Sequence, residues 1–376
     1  MRILYVIQSI ARWGGIERVL TDKMNALVRL YGYEVFLLTV DQGTHAFPFA
    51  LDERVHVQDL AICFHHQYRY SGLRRYYDRW CRNRLFRRRL SDSITAISPD
   101  IIIGTTANYV AQINALRGNI PFVVESHSGY AHVMEFEQMR WYHRWQIQRL
   151  YRQLSHVTGI VSLTSSDARC WQQIHHQVWT IPNVVHLNDT GRMSECTEKR
   201  VIFVGRFSQQ KNIPGLIEIW KAVHKRHPDW QLDIYGDGEY RQRFVQEIEA
   251  LDIRINIFMP TGQIMERYCE SSVYVMTSAY EPFGLVLVEA MSCGLPVVAY
   301  DCPYGPGDIV EEGKNGFLVA QGNVEQFVER LSLLMADEEL RRKMGQQAQQ
   351  SAFRYDTSQI LPLWKQLFLS LSERAE

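Results

Sequence analysis

The sequence predicts a two-domain α/β protein whose parallel sheets are covered by helices on both faces. Three observations carry that expectation. Short runs rich in Ile and Val recur along the chain without the apolar–polar alternation of a half-exposed sheet, which is the pattern of strands buried on both sides. Stretches of helical spacing separate these runs, and strand–helix alternation builds parallel sheets. The chain has 376 residues, more than one ordinary core accommodates.

In order, the first half offers strands at residues 3–7, 33–40, 100–105, 122–125 and 158–163, each bounded by turn formers. Between the first strand and its helix lie Gly14 and Gly15, which allow close approach of a phosphate or sugar to the helix start. The full Gly-x-Gly-x-x-Gly pattern is absent there, so a dinucleotide site is not indicated. Residues 69–89 contain nine arginines (69, 74, 75, 79, 82, 84, 87, 88 and 89) interleaved with Leu73, Tyr76, Tyr77, Trp80, Leu85, Phe86 and Leu90. That spacing describes a basic helix with an aromatic stripe. The stripe either packs on a sheet with its arginines solvated, or lies at an anionic membrane surface. No recognised motif supports nucleic-acid binding. The strand at 122–125 runs into Ser126-His127-Ser128-Gly129, which puts His127 at a strand end suited to substrate contact or to capping a turn; His132, His143 and His156 compete nearby.

Residues 185–199 are polar and read as a linker. Strands then resume at 200–204, 232–235, 255–259, 273–277, 297–300 and 317–319. Gly236-Asp-Gly238 is a tight strand-to-helix turn, and Gly305-Pro-Gly307-Asp308 another. The expected division is 1–183, 184–355 and a terminal helix at 356–376 carrying Leu361, Leu363, Trp364, Leu367 and Phe368.

The stretch 278–298 holds the candidate chemistry. Pro282 suits the first turn of a helix, where its missing N–H costs nothing, and Gly284 would leave that helix start bare. The backbone N–H groups of Phe283, Gly284 and Leu285 would then attract phosphate. Glu281 stands at the strand end, and Glu289 lies eight residues on, about two helical turns away. Parallel sheets bind ligands at the carboxyl ends of their strands, so Glu281 is placed to touch a reacting group and Glu289 a more distant hydroxyl.

This stretch resembles the Glu-x7-Glu signature of retaining glycosyltransferases of family 4, which have the GT-B fold. Val204-Gly205-Arg206-Phe207 with Lys211-Asn212 is similar to that family's phosphate-binding loop, and Gly14-Gly15 and Ile181-Pro182-Asn183 fall where the family has them. The resemblance implies two Rossmann-like domains facing each other across a cleft, with the terminal helix crossing back to the first. It implies that Arg206 and Lys211 neutralise the leaving diphosphate of a UDP-sugar in place of a divalent ion, so that no metal or cofactor is required. It further implies that Glu289 binds ribose hydroxyls and Glu281 the donor sugar, with Gly14, Gly15, Gly236, Pro282, Phe283, Gly284 and Leu285 lining the donor site. A histidine near His127 contacts the donor or the reacting group in that family.

Composition narrows the setting. The formal net charge is zero, so any basic surface is a local patch. The 7 cysteines form no Cys-x-x-Cys pair, which favours free thiols and a reducing cytoplasm. No run of 18 apolar residues is present, and Met1–Gln8 reads as a strand rather than a leader. The expected activity is sugar transfer from UDP-sugar to a glycan, with a polyprenyl-diphosphate oligosaccharide or lipopolysaccharide core as acceptor at the inner membrane face. A nucleotide-sugar epimerase of the same fold and a catalytically silent sugar-binding subunit are the alternatives.

Overall fold

The computed structural model describes residues 1–105, 109–130 and 141–373. The chain divides into two compact units. The first comprises Met1–Leu163, Asp167–Val184 and Ile360–Glu376; the second comprises Thr164–Ser166 and Val185–Gln359. Residues 185–199 form neither helix nor strand.

The first unit contains β1 (Arg2–Ile7), β2 (Glu34–Thr39), β3 (His56–Asp59), β4 (Ile101–Gly104), β5 (Phe122–Ser126), β6 (Gly159–Ser162) and β7 (Val178–Thr180). Their order in the sheet is β3-β2-β1-β4-β5-β6-β7, and every pairing is parallel. The reason for the unbroken apolar runs is visible in β1. Leu4 and Val6 face a core with Phe86, Leu90 and Ile102, whereas Ile3, Tyr5 and Ile7 face another with Leu20, Met24, Trp364 and Phe368. The terminal helix Thr357–Ser372 thus contributes Ile360, Leu361, Trp364, Leu367, Phe368 and Leu371 to the first unit's core. Two strands escape sequence reading, β3 and β7, and both are sheet edges. His-Val-Gln-Asp is largely exposed and β7 is three residues long, as edge strands tend to be.

The second unit carries β8 (Arg200–Val204), β9 (Gln231–Tyr235), β10 (Ile255–Phe258), β11 (Val273–Met276), β12 (Val297–Asp301) and β13 (Gly316–Ala320) in the order β10-β9-β8-β11-β12-β13, again parallel. Two parallel-sheet Rossmann-like units are therefore the architecture, as the strand–helix alternation predicts. Among the described residues, no helix is long and apolar enough to cross a membrane.

Candidate active site

The carboxyl ends of β8, β9 and β11 bring three loops together. After β8, Gly205 N–H donates to the Tyr235 carbonyl at 3.0 Å and Phe207 N–H to that of Asp237 at 2.9 Å, so this loop lies along the one after β9. The approach needs Gly236, where a Cβ would collide with the Gly205 carbonyl. The β8 loop then makes a short 3₁₀ turn, Gln209–Lys211. Asn212 follows in the left-handed region (φ 49°), and its side chain accepts from Gly215 N–H at 3.2 Å to cap the helix Ile213–Arg226.

The loop after β11 is tied to this turn by backbone and side chain alike. Ala279 N–H donates to the Gln210 carbonyl at 2.7 Å, and the Gln210 side-chain amide to the Tyr280 carbonyl at 3.1 Å. Thr277 Oγ1 donates to the Lys211 carbonyl at 3.1 Å. These bonds bring Lys211 Nζ to 2.5 Å from Glu281 Oε2, with both side chains about seven-eighths buried (13% and 12% exposed). Ser278 Oγ, not foreseen from sequence, lies 3.3 Å from the same oxygen. Burial foremost, then the Glu281 charge, pushes the neighbouring Cys302 thiol up to about 12, against the opposing effect of Lys211. Tyr274 on β11 is also raised, by burial and then by the charges of Glu281 and Glu289.

The helix after this loop runs Leu285–Ser292, with Gly284 before it at φ 107° and no side chain capping its start. The sequence expectation that Pro282 opens this helix is corrected. Glu281 instead makes an isolated parallel bridge with Tyr304, and the chain bends at Pro282 and Phe283 before the helix begins. Phe283 is buried against Tyr355, with ring centroids 5.3 Å apart. Leu285 begins the helix, and Glu289 sits half-buried in its second turn. Arg206 is exposed and makes no ion pair among the described residues.

Gly14, Gly15 and His127 belong to the first unit. Gly14 precedes the helix Gly15–Tyr31, and the Glu17 carboxylate occupies the space a Cβ on Gly14 would take. His127 follows β5 with its side chain only 2% exposed. Its Nε2 lies 3.4 Å from Glu125 Oε1 without forming a hydrogen bond. Glu125 is held at 2.5 Å by Lys23, and the Lys23 ammonium sits 4.0 Å from the centroid of the Trp364 ring. The sequence reading missed this buried group. Its one signal is a lysine inside the apolar stripe Val19, Leu20, Met24, Leu27 and Val28. His132 lies outside the described residues, as does the side chain of His143.

Two parallel sheets thus set a cation–carboxylate pair at the strand ends beside a bare helix start. Comparison with known proteins makes the class specific. The family described as Glycosyltransferase Family 4 matches residues 13–189, and Glycosyl transferases group 1 matches residues 193–351. The chain belongs to the GT-B glycosyltransferases. It is 28% identical over 372 residues to an uncharacterized glycosyltransferase of Haemophilus influenzae, covering 97% of this chain and 99% of that one. It is 23% identical over 373 residues to a Campylobacter jejuni α-1,4-N-acetyl-D-galactosaminyltransferase named for a GalNAc-containing PP-undecaprenol, covering 98% of each. Among solved structures, Anabaena HepE in complex with UDP shares the fold at a TM-score of 0.78 and 19% identity, covering 98% of this chain and 100% of that one.

Proposed function

We propose that this chain is a retaining, metal-independent glycosyltransferase that moves a sugar from a UDP-sugar to a lipid-linked glycan at the cytoplasmic face of a membrane. One observation carries the donor half of the reading: the Lys211–Glu281 pair at the strand ends, next to the uncapped helix start at Gly284. As the bond from the anomeric carbon to the diphosphate oxygen breaks, negative charge grows on the leaving group. Lys211, Arg206 and the N–H groups of the first helical turn are the donors suited to hold it, and fixed donors of this kind are worth most in a dry site. Glu281 would grip hydroxyls of the donor sugar and Glu289 those of the ribose. The acceptor oxygen then bonds to the anomeric carbon on the face the diphosphate leaves, and its proton passes to a diphosphate oxygen.

The lipid-linked half rests on the helix Gly72–Ile97, whose first half exposes Leu73, Tyr76, Tyr77 and Trp80 among arginines. The Campylobacter relative's name supports the same acceptor class. A screen of nucleotide sugars for UDP release, run with and without EDTA, tests the proposal. UDP-sugars should turn over in the presence of lipid-linked oligosaccharide and be indifferent to EDTA. Loss of activity on chelation that Mg²⁺ restores would overturn the metal-independent assignment. Conversion of the sugar without acceptor would replace transfer by epimerisation.

A further inference from the structure

Glu281 lies in a segment with no regular hydrogen-bond ladder, since β11 ends at Met276 and the next helix begins at Leu285. Its backbone is fixed from one side only, by the turn after β12. Glu281 N–H donates to the Pro303 carbonyl at 3.2 Å, and Gly305 N–H donates to the Glu281 carbonyl at 2.7 Å. Both backbone groups of the carboxylate-bearing residue are therefore taken by the two neighbours of Tyr304.

These two bonds make a parallel bridge, and at Tyr304, between the two bonded neighbours, the chain adopts φ 84° and ψ −79°. These are the dihedrals of the less common hand of the γ-turn, although Gly305 N–H bonds to Glu281, and they are strained for any residue with a Cβ. The other non-glycine residues with positive φ, among those described, lie between 47° and 55°. The turn lies close against the Glu281 segment, since a Cβ on Gly305 would collide with the Phe283 carbonyl and crowd that of Glu281. Glycine would sit at 304 without penalty, yet the chain has tyrosine there.

We infer that Tyr304 is a positioning residue for sugar transfer: its strained backbone locks the turn that holds Glu281, and that rigidity keeps the Glu281 carboxylate in register with Lys211. The inference rests on the reading of Glu281 as the donor-sugar contact. A glycine at 304 has many conformations open to it and lets the clamp breathe, whereas a residue with a Cβ is confined once the turn has formed. Small misplacements of a group at the reacting centre cost large factors in rate.

The test compares Tyr304→Gly with Tyr304→Ala, since alanine removes the ring but keeps the Cβ. The glycine variant should melt at a higher temperature than the alanine variant and yet have a kcat about tenfold lower, with KM for the UDP-sugar within about twofold; the scale is that of a loosened, not deleted, group. A glycine variant as fast as the alanine variant would make the turn merely structural. Equal losses in both would assign the effect to the ring, and a glycine variant that melts no higher would remove the strain; either overturns the inference. Glu281→Gln, assayed alongside, separates the two ideas. Full activity there sinks the donor-site reading itself, whereas a loss there with an unaffected Tyr304→Gly sinks only the clamp.

Discussion

Lys211 and Glu281 share a hydrogen bond of 2.5 Å with both side chains largely shielded from solvent. An arriving diphosphate would compete for the ammonium and leave Glu281 to the sugar hydroxyls. The two glutamates should consequently fail in different ways. If Glu289 binds the ribose as proposed, Glu289→Gln removes a contact made equally in ground and transition states, so KM for the donor should rise about tenfold while kcat stays within a few-fold. If Glu281 grips the donor sugar as proposed, Glu281→Gln should lower kcat by about a hundredfold, the scale of one lost electrostatic contact. Steady-state kinetics on both variants decide this, and identical profiles would show that the roles are misassigned.

The helix Gly72–Ile97 divides into two halves that differ in burial. Phe86, Leu90 and Ile94 are buried and anchor its second half in the core. Arg82 binds Asp78 and the Ile62 carbonyl, each at 2.6 Å, and Arg89 binds the carbonyls of Leu60 and Ala61. These two arginines are structural. The first half is different: Leu73 is 87% exposed and Trp80 56%, so the aromatic stripe does not pack on the sheet there. Arg74 and Arg75 stack on Tyr70 and Tyr68, and Arg84 lies 5.8 Å from the Trp80 ring. Such a face suits headgroup depth, where aromatic rings settle and each arginine near an anionic leaflet adds about 1 kcal/mol. Replacing Arg74, Arg75, Arg79, Arg84 and Arg87 by Gln should abolish sedimentation with anionic liposomes at low salt and leave UDP-sugar binding unchanged. Wild-type protein that ignores such liposomes would make a soluble acceptor the better assignment.

At the scale of the whole molecule, Lys23, Glu125 and Trp364 join residues far apart in the chain. The Lys23–Glu125 pair is almost fully buried (1% and 2% exposed), and the terminal helix roofs it with Trp364. Burial by itself raises the Glu125 carboxyl, but the charges of Lys23 and His127 overcome that and bring it down to about 2. A carboxyl depressed from about 4.3 in the unfolded chain contributes stability that is complete above that pH and is lost as pH falls toward 2. Denaturant melts of the first unit should accordingly weaken between about pH 4 and pH 2, with a shallower decline in Glu125→Gln. Lys23→Met alone should cost about 3–5 kcal/mol by stranding a buried carboxylate, and Lys23→Met with Glu125→Met should recover most of it. A single variant as stable as wild type would show that the pair does not support the fold.

The sequence by itself determined the two parallel-sheet units, because strands buried on both faces must be apolar throughout and therefore announce themselves. It also located the Glu281–Glu289 stretch and the Arg206–Lys211 loop, since strand–glycine–helix junctions are local. Tertiary structure alone decided the rest. Edge strands β3 and β7 have one neighbour each, so little apolar sequence is demanded of them. The helix start moved from Pro282 to Leu285 because Glu281 pairs with Tyr304 and the chain bends at Pro282 and Phe283 before the left-handed Gly284. Lys211 meets Glu281 across 70 residues, Lys23 meets Glu125 across 102, and Tyr304 clamps Glu281 from the next strand's loop. Spacing cannot show such partners, because a charge or a strained backbone angle is made affordable only by what the fold sets against it.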